Sequence, residues 1–292
     1  MEHESRGAIE IDGSFGEGGG QILRTALALS VIFKRPLTLH HIRAKRKSPG
    51  LGHQHLMAVN ALAQISGAKV EGNVIGSQKL TFIPGEVCPG DYHFRIGTAG
   101  SVTLLLQALL LPLCLSQKGF QLILEGGTHV PWSPPYHYFS EVLFPTLHFM
   151  GISVCGIIDQ WGWYPRGGGI IHVEVQPSPS PGSISLLKRG SLRKIRGFSA
   201  ASLLPKHVAE RQRDEALRRI EKELKTGVEI TILPDPPSRG PGSFLFLVTE
   251  SEGGLAGFSS LGRRGKRAEE VAGEAVNSLK EYLEGEGCID PH

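Results

Sequence analysis

With 292 residues, 40% of them hydrophobic, the chain can bury the core of one large domain or two ordinary ones. A net charge of +3 is too small to demand a polyanionic partner, so a nucleic-acid role must rest on local clusters. Cys88, Cys114, Cys155 and Cys288 lie far apart without a C-x-x-C pair, which argues against a disulfide framework or a cysteine zinc site and for a reducing compartment.

The stretch Ile9 to Leu29 reads as strand, glycine loop and helix: Ile9 and Ile11 alternate with polar residues, and Ile22, Leu23, Ala26 and Leu27 recur at helical spacing. Gly16, Gly18, Gly19 and Gly20 let the backbone approach a ligand with free N–H groups, at a helix N-terminus. The spacing fits a phosphate cradle and a tight structural turn equally, and the Lys-Ser/Thr ending of a Walker loop is absent. A strand near Leu37 to Ile42 follows, then the basic loop Arg43 to Gly50, a helix about Gln54 to Ile65, and strands Ala68 to Glu71 and Lys79 to Phe82. That order, βαβαββ, recurs: strand Tyr92 to Ile96, the loop G-T-A-G-S, a helix Leu104 to Leu113, strand Gln121 to Leu124, G-G-T-H-V-P-W-S-P-P, a helix about Tyr136 to Met150, and strands Ile152 to Ile157 and Ile170 to Val175. Gly16 and Gly97 occupy equivalent turns about 81 residues apart, which predicts duplicated lobes, residues 1–182, rather than a solenoid.

The Pro/Ser segment Q-P-S-P-S-P-G leads into a different pattern, strands Leu192 to Phe198 and Phe244 to Val248 around one charged helix, Lys206 to Leu224, predicted as an inserted small α/β domain, 183–252. Residues 253–292 are predicted to start a third, truncated lobe: the apolar run Leu255 to Phe258, the turn S-S-L-G-R-R-G and a helix Ala268 to Leu283. On that reading the last helix has nothing to pack against, and a further segment is expected to complete the lobe. The longest apolar run, Leu104 to Leu115, is interrupted by Gln107 and Pro112 and is shorter than a membrane span, and the stretch M-E-H-E-S-R-G lacks the apolar run of a signal segment. A cytoplasmic protein without a membrane partner is expected, and a homodimer is compatible with the sequence.

Glu17 is the carboxylate of the first glycine loop, and Arg24, Arg43, Lys45, Arg46 and Lys47 form the densest basic cluster near it. Arginine suits bidentate phosphate recognition, and two such loops on neighbouring strand ends could converge on one anion. His53 and His55 alternate, which turns their rings to different helix faces and disfavours a shared metal. Gln54 starts that helix, and Gln107 interrupts an apolar one, where a buried amide would need a core or ligand partner. Trp132, Tyr136, Tyr138, Trp161, Trp163 and Tyr164 suit core, hinge or base stacking, and Asp12 suits a turn cap.

In order and spacing, D-G-S-F-G-E-G-G-G-Q-I-L-R, I-R-A-K-R-K-S-P-G-L-G-H-Q-H-L, G-T-A-G-S-V-T-L-L-L-Q, G-G-T-H-V-P-W-S-P-P, W-Y-P-R-G-G-G and S-S-L-G-R-R-G closely resemble the RNA 3′-terminal phosphate cyclase family. The resemblance implies an α/β (α+β) fold of repeated βαβαββ lobes like the C-terminal domain of translation initiation factor 3, with a small inserted α/β domain. It implies an ATP-dependent, metal-dependent (Mg2+ or Mn2+), ligase-type enzyme that converts an RNA 3′-phosphate to a 2′,3′-cyclic phosphate through histidine-AMP and RNA-adenylate intermediates. By the same resemblance Glu17 matches the metal ligand. Arg24, Arg43 and Arg46 match catalytic arginines at the triphosphate or RNA phosphate, with Arg43 and Arg46 on the RNA phosphate. Gln54, Gln107, Pro134 and His292 match the ATP site, the last two flanking adenine. None of the twelve histidines matches the family's nucleophile, which lies on a later strand, so the chain as written is expected to lack adenylation. The alternatives are a non-catalytic RNA-binding or ribosome-assembly relative and, more weakly, an enolpyruvyl-transferase-like enzyme.

Overall fold

The computed structural model describes residues 7–291. The first lobe is β1 (Ile9–Asp12), α1 (Gly20–Phe33), β2 (Leu37–His40), α2 (His53–Ser66), β3 (Lys69–Glu71) and β4 (Leu80–Ile83). Its sheet has the order β1-β2-β4-β3, with β1 parallel to β2 and the other pairs antiparallel. The second lobe repeats it: β5 (Gly90–Arg95), α3 (Val102–Cys114), β6 (Phe120–Gly126), a helical rod, β7 (Val154–Gln160) and β8 (Gly169–Val175), in the order β5-β6-β8-β7. The rod consists of α4 (Tyr136–Tyr138), a π-turn (Phe139–Leu143) and α5 (Phe144–Phe149). Strict alternation of buried and half-buried residues along β8, G-I-I-H-V-E-V, fixes its register, because a slip of one residue would send Ile171 and Val173 out of the core.

Helix α3 is apolar on nearly every side because it is covered on nearly every side: it packs on α1 and α2 as well as on its own sheet. Leu105, Leu106, Leu109 and Leu113 therefore join Leu23, Leu27, Leu62 and Phe82 in one core that runs through both lobes. The helix begins where Ser101 accepts a hydrogen bond from the Leu104 amide at 3.2 Å.

The remaining elements are β9 (Leu192–Ser202), α6 (His207–Leu224), β10 (Val228–Leu233), β11 (Gly242–Ser251), β12 (Gly254–Leu261) and α7 (Ala268–Glu284). Here the structure departs from the expected division at 252/253. That position falls in a tight hairpin turn, and β12 pairs antiparallel with β11 from Phe244↔Leu261 to Ser251↔Gly254. The two strands share a four-stranded sheet of order β10-β9-β11-β12. Helix α7 is not left with a bare apolar face: Val271, Ala272, Ala275, Val276 and Leu279 are buried with Ala216 and Ile220 of α6 and Leu245 and Leu247 of β11. The reason is the Gly253–Gly254 pair, which supplies a hairpin turn where the sequence reads as a break between units.

A third apolar cluster, with Val142, Trp161 and Trp163 from the second lobe and Phe244, Phe246 and Val248 from β11, joins this unit to the rest. Arg196 of β9 reinforces the seam, pairing with Glu141 at 2.5 Å and Glu250 at 2.9 Å. Asp290 does so from the chain's last turn, accepting from the Tyr138 hydroxyl at 2.9 Å and from the Gly257 amide at 2.7 Å. The four cysteines are free thiols. Among the described residues no helix is long and apolar enough to cross a membrane.

Candidate phosphate-binding site

The βα topology places the N-termini of α1, α2 and α3 at the same ends of their lobes, so three positive helix ends converge. The first glycine loop turns through Gly16 and Gly18, both at φ 58°, a conformation that suits glycine. Asp12 anchors its entry, accepting from the Ser14 amide at 2.9 Å and contacting His41 Nδ1 at 3.1 Å; these bonds hold its carboxyl down at about 2. Lys45 Nζ reaches the Gly16 carbonyl at 3.0 Å, and Arg46 Nη2 reaches Glu17 Oε2 at 3.0 Å, so the basic loop closes over the glycine loop. Glu17 stays 88% exposed despite that pair, and its carboxylate is open to an incoming ion.

Beneath these exposed groups lies a second layer. Arg24 is only 7% exposed and hydrogen-bonds Gln21 Oε1 at 3.0 Å; its Nε has no partner, and no carboxylate faces it among the described residues. Burial pushes its guanidinium pKa down. Arg43, at φ 53°, donates to the Gly50 carbonyl at 2.8 Å, and burial and then the nearby Arg46 lower its pKa too. His55 completes the layer. Burial first, then the charges of Arg43 and Arg24, hold its imidazole at about 4, so it is neutral at pH 7, with a buried Nδ1 that has no partner. Gly20 makes this packing possible: a Cβ there would sit 2.3 Å from His55 Nε2 and 3.0 Å from Arg24 Nη1.

The second lobe is joined on through Gln54, whose Oε1 accepts from the Ser101 amide at 2.7 Å. Thr103, in the first turn of α3, links Ser101 Oγ at 2.7 Å to the Pro134 carbonyl at 2.8 Å. Gln107 lies one turn further along α3, and here the structure corrects the expectation of a buried amide. Its side chain is exposed, because this stripe of α3 is the part that neither sheet nor α1 covers. The structure therefore brings Glu17, Arg24, Arg43 and Arg46 together, sets Gln54 at the junction, and puts Pro134 and Gln107 along α3. His292 lies outside the described residues.

Sequence reasoning missed His55, Ser101 and Thr103. The H-x-H spacing places only one of the two rings inward, which disfavours a metal but leaves the inward ring free to pack between arginines. Of the aromatic residues singled out, Trp161, Trp163 and Tyr136 are buried, whereas Trp132 is 94% and Tyr164 65% exposed. A cleft between the C-terminal ends of α1 and α3, lined by Val31, Lys34, Glu86 and Pro112, lies away from this site, where the helix ends repel anions.

Among the described residues no three His, Cys, Asp or Glu side chains cluster as ligands for one ion. One exposed carboxylate beside a phosphate cradle does fit Mg2+, which keeps waters and takes most of its remaining ligands from substrate phosphates.

A family profile described as RNA 3′-terminal phosphate cyclase matches residues 15–292. A protein of Ignicoccus hospitalis named RNA 3′-terminal phosphate cyclase is 44% identical over 288 residues, 97% of this chain and 82% of that one. Proteins of the same name from Staphylothermus marinus and Gloeothece citriformis are 45% and 40% identical, again over 97% of this chain, and over 81% and 82% of theirs. The chain belongs to the RNA 3′-terminal phosphate cyclase family.

Proposed function

We propose that the protein, in a form that carries the family's histidine nucleophile, converts the 3′-terminal phosphate of RNA into a 2′,3′-cyclic phosphate, using ATP and a divalent metal, Mg2+ or Mn2+, in the cytoplasm. ATP supplies AMP with release of pyrophosphate, AMP on the 3′-phosphate oxygen becomes the leaving group, and the vicinal 2′-hydroxyl, giving up its proton, forms the new P–O bond as AMP departs. Arg24 is the observation that carries this reading. A guanidinium 7% exposed, with a free Nε and no carboxylate, leaves an uncompensated buried charge that an oxyanion would pair.

Arg43 and Arg46 approach the same place from the opposite loop and would grip the remaining phosphate oxygens. His55 fills the space between Arg24 and Arg43 without adding charge, so the anion meets two cations held apart. Glu17 would hold the metal, which supplies charge neutralisation on the nucleotide's phosphates when bound. Gln54, Gln107 and Pro134 would face the nucleotide along α3.

The test is to incubate the full-length protein with ATP, Mg2+ and an RNA carrying a labelled 3′-phosphate. The label should become resistant to phosphatase, and resistance should return to sensitivity after acid opening of the cyclic ester. A label that stays phosphatase-sensitive at every protein, ATP and metal concentration would contradict the proposal.

A further inference from the structure

The loop W-Y-P-R-G-G-G, residues 163–169, has no part in the phosphate site, yet it is built tightly against the loop 234–241 that follows β10. Arg166 Nη1 donates to the Arg239 carbonyl at 2.9 Å. The Arg166 stem lies across Gly240, with Cδ 3.0 Å from where a Cβ would stand, and the Arg239 stem lies across Gly168, with Cδ 2.7 Å from the equivalent point. Each loop's glycine makes room for the other loop's arginine. Trp161 locks the pair from below, donating its amide to the Pro237 carbonyl at 2.7 Å and bridging to Ser238. Both arginines are exposed, and among the described residues neither pairs with a carboxylate. Like charges on adjoining rigid loops without a counter-ion mark a surface for a polyanion.

Position decides which polyanion. Gly167 rests on the second-lobe glycine turn, where a Cβ would meet the Ala99 Cα and the Thr98 carbonyl, each at 2.8 Å. Two residues on, the Ser101 amide of that turn is held by Gln54, the neighbour of His55 in the first-lobe site. The clasp therefore continues the phosphate site across one turn of backbone, and Tyr164, 65% exposed, stands beside it.

We infer that Arg166 and Arg239 bind internucleotide phosphates of single-stranded RNA upstream of its 3′-phosphate end, with Tyr164 as a stacking platform for a base. The inference rests on the proposed function, since the 3′-phosphate sets the direction of the strand. Contacts of this kind are independent of sequence and depend on salt.

The test is fluorescence anisotropy of the full-length protein with a 3′-phosphorylated single-stranded RNA of about 12 nucleotides, long enough to cover several phosphate contacts. A nucleoside 3′-phosphate is measured alongside by competition. In Arg166→Ala/Arg239→Ala, affinity for the long RNA should fall roughly tenfold or more at 0.1 M salt. The slope of log K against log salt should shrink by about 1.4, roughly 0.7 for each of two lost single-strand contacts. Affinity for the nucleoside 3′-phosphate should not change, and Arg166→Lys/Arg239→Lys should keep the wild-type slope. An unchanged affinity and slope for the long RNA would overturn the inference and leave the clasp to an acidic protein partner. An equal loss for both ligands would overturn it too, since the clasp would then act only through the fold. Arg24→Gln separates this result from the reading beneath it: the preference for a 3′-phosphate should vanish while the slope from Arg166 and Arg239 remains.

Discussion

At the scale of single residues the site has an exposed layer and a buried one, and they answer to different forces. Glu17 and Arg46 form a pair at 3.0 Å, 88% and 45% exposed, which adds little to stability. Glu17→Ala should therefore leave the melting temperature within about a degree or two, the range of a surface change. The metal concentration needed for half-maximal turnover should rise at least tenfold, as loss of a carboxylate ligand predicts. A titration in which the rate is unchanged at every metal concentration would remove Glu17 from the metal site. Much of the exposed layer is legible in the sequence, because a carboxylate in a glycine loop and a run of basic residues need no fold to be noticed. The buried layer is not. Nothing in the spacing says that Arg24 is shut away without a carboxylate, or that His55 sits neutral between two guanidiniums, because burial is set by how α1 and α2 cross. Gln107 shows the opposite failure: an amide amid leucines reads as buried, but a helix shared by two lobes can still leave one stripe open.

Among elements, the close contact between α1 and α2 is set by Gly20. A methyl group there would stand 2.3 Å from His55 Nε2, closer than any van der Waals contact allows. Gly20→Ala should destabilise the protein by about 1–3 kcal/mol through overpacking, although alanine is the better helix former. Chemical denaturation checks this, and a variant as stable as the wild type would mean that α2 can shift at no cost. The two βαβαββ lobes were legible because strands alternate, helices repeat at 3.6 residues and glycine turns separate them. The third unit was not, since its order βαβββα has no counterpart in the first two. Strand β10, V-E-I-T-I-L, alternates well but lies in a stretch dominated by the charged helix before it. The hairpin at Gly253–Gly254 reads as a unit boundary until the pairing of β11 with β12 is seen.

Across the whole molecule, the seam between the second lobe and the third sheet depends on two buried imidazoles. The Gly162 amide donates to Thr128 Oγ1 at 2.8 Å, Thr128 Oγ1 shares a hydrogen bond with His129 Nδ1 at 2.8 Å, and His129 Nε2 shares one with His137 Nδ1 at 2.9 Å. Burial keeps both rings neutral at pH 7, and His129 stacks on Trp161 with centroids 4.1 Å apart. Burial holds His129 far below 6.5 and His137 down at about 3, and His55 in the first lobe is held at about 4. An unfolded chain would protonate all three near 6.5, so between that pH and about 3 it binds more protons than the folded chain. Stability from these residues is fully present above pH 6.5 and is lost as pH falls toward 3. Denaturation at steps through this range should show the loss, and His137→Phe should flatten the curve. A profile flat from pH 7 to 4 would contradict the neutral pair.

Arg24 is a buried charge, and the proposed function assigns it to a phosphate. Replacing it with a neutral side chain of similar length should help the fold while harming recognition, because an unpaired buried cation destabilises the free protein. The most direct measurement is the affinity of the wild-type protein and Arg24→Met for one RNA sequence ending in either a 3′-phosphate or a 3′-hydroxyl, with melting temperatures taken in parallel. The wild type should prefer the phosphate by roughly tenfold or more, the range of one charge-assisted hydrogen bond. The variant should melt no lower and show no preference. A variant that keeps the wild-type preference would show that the phosphate is held elsewhere.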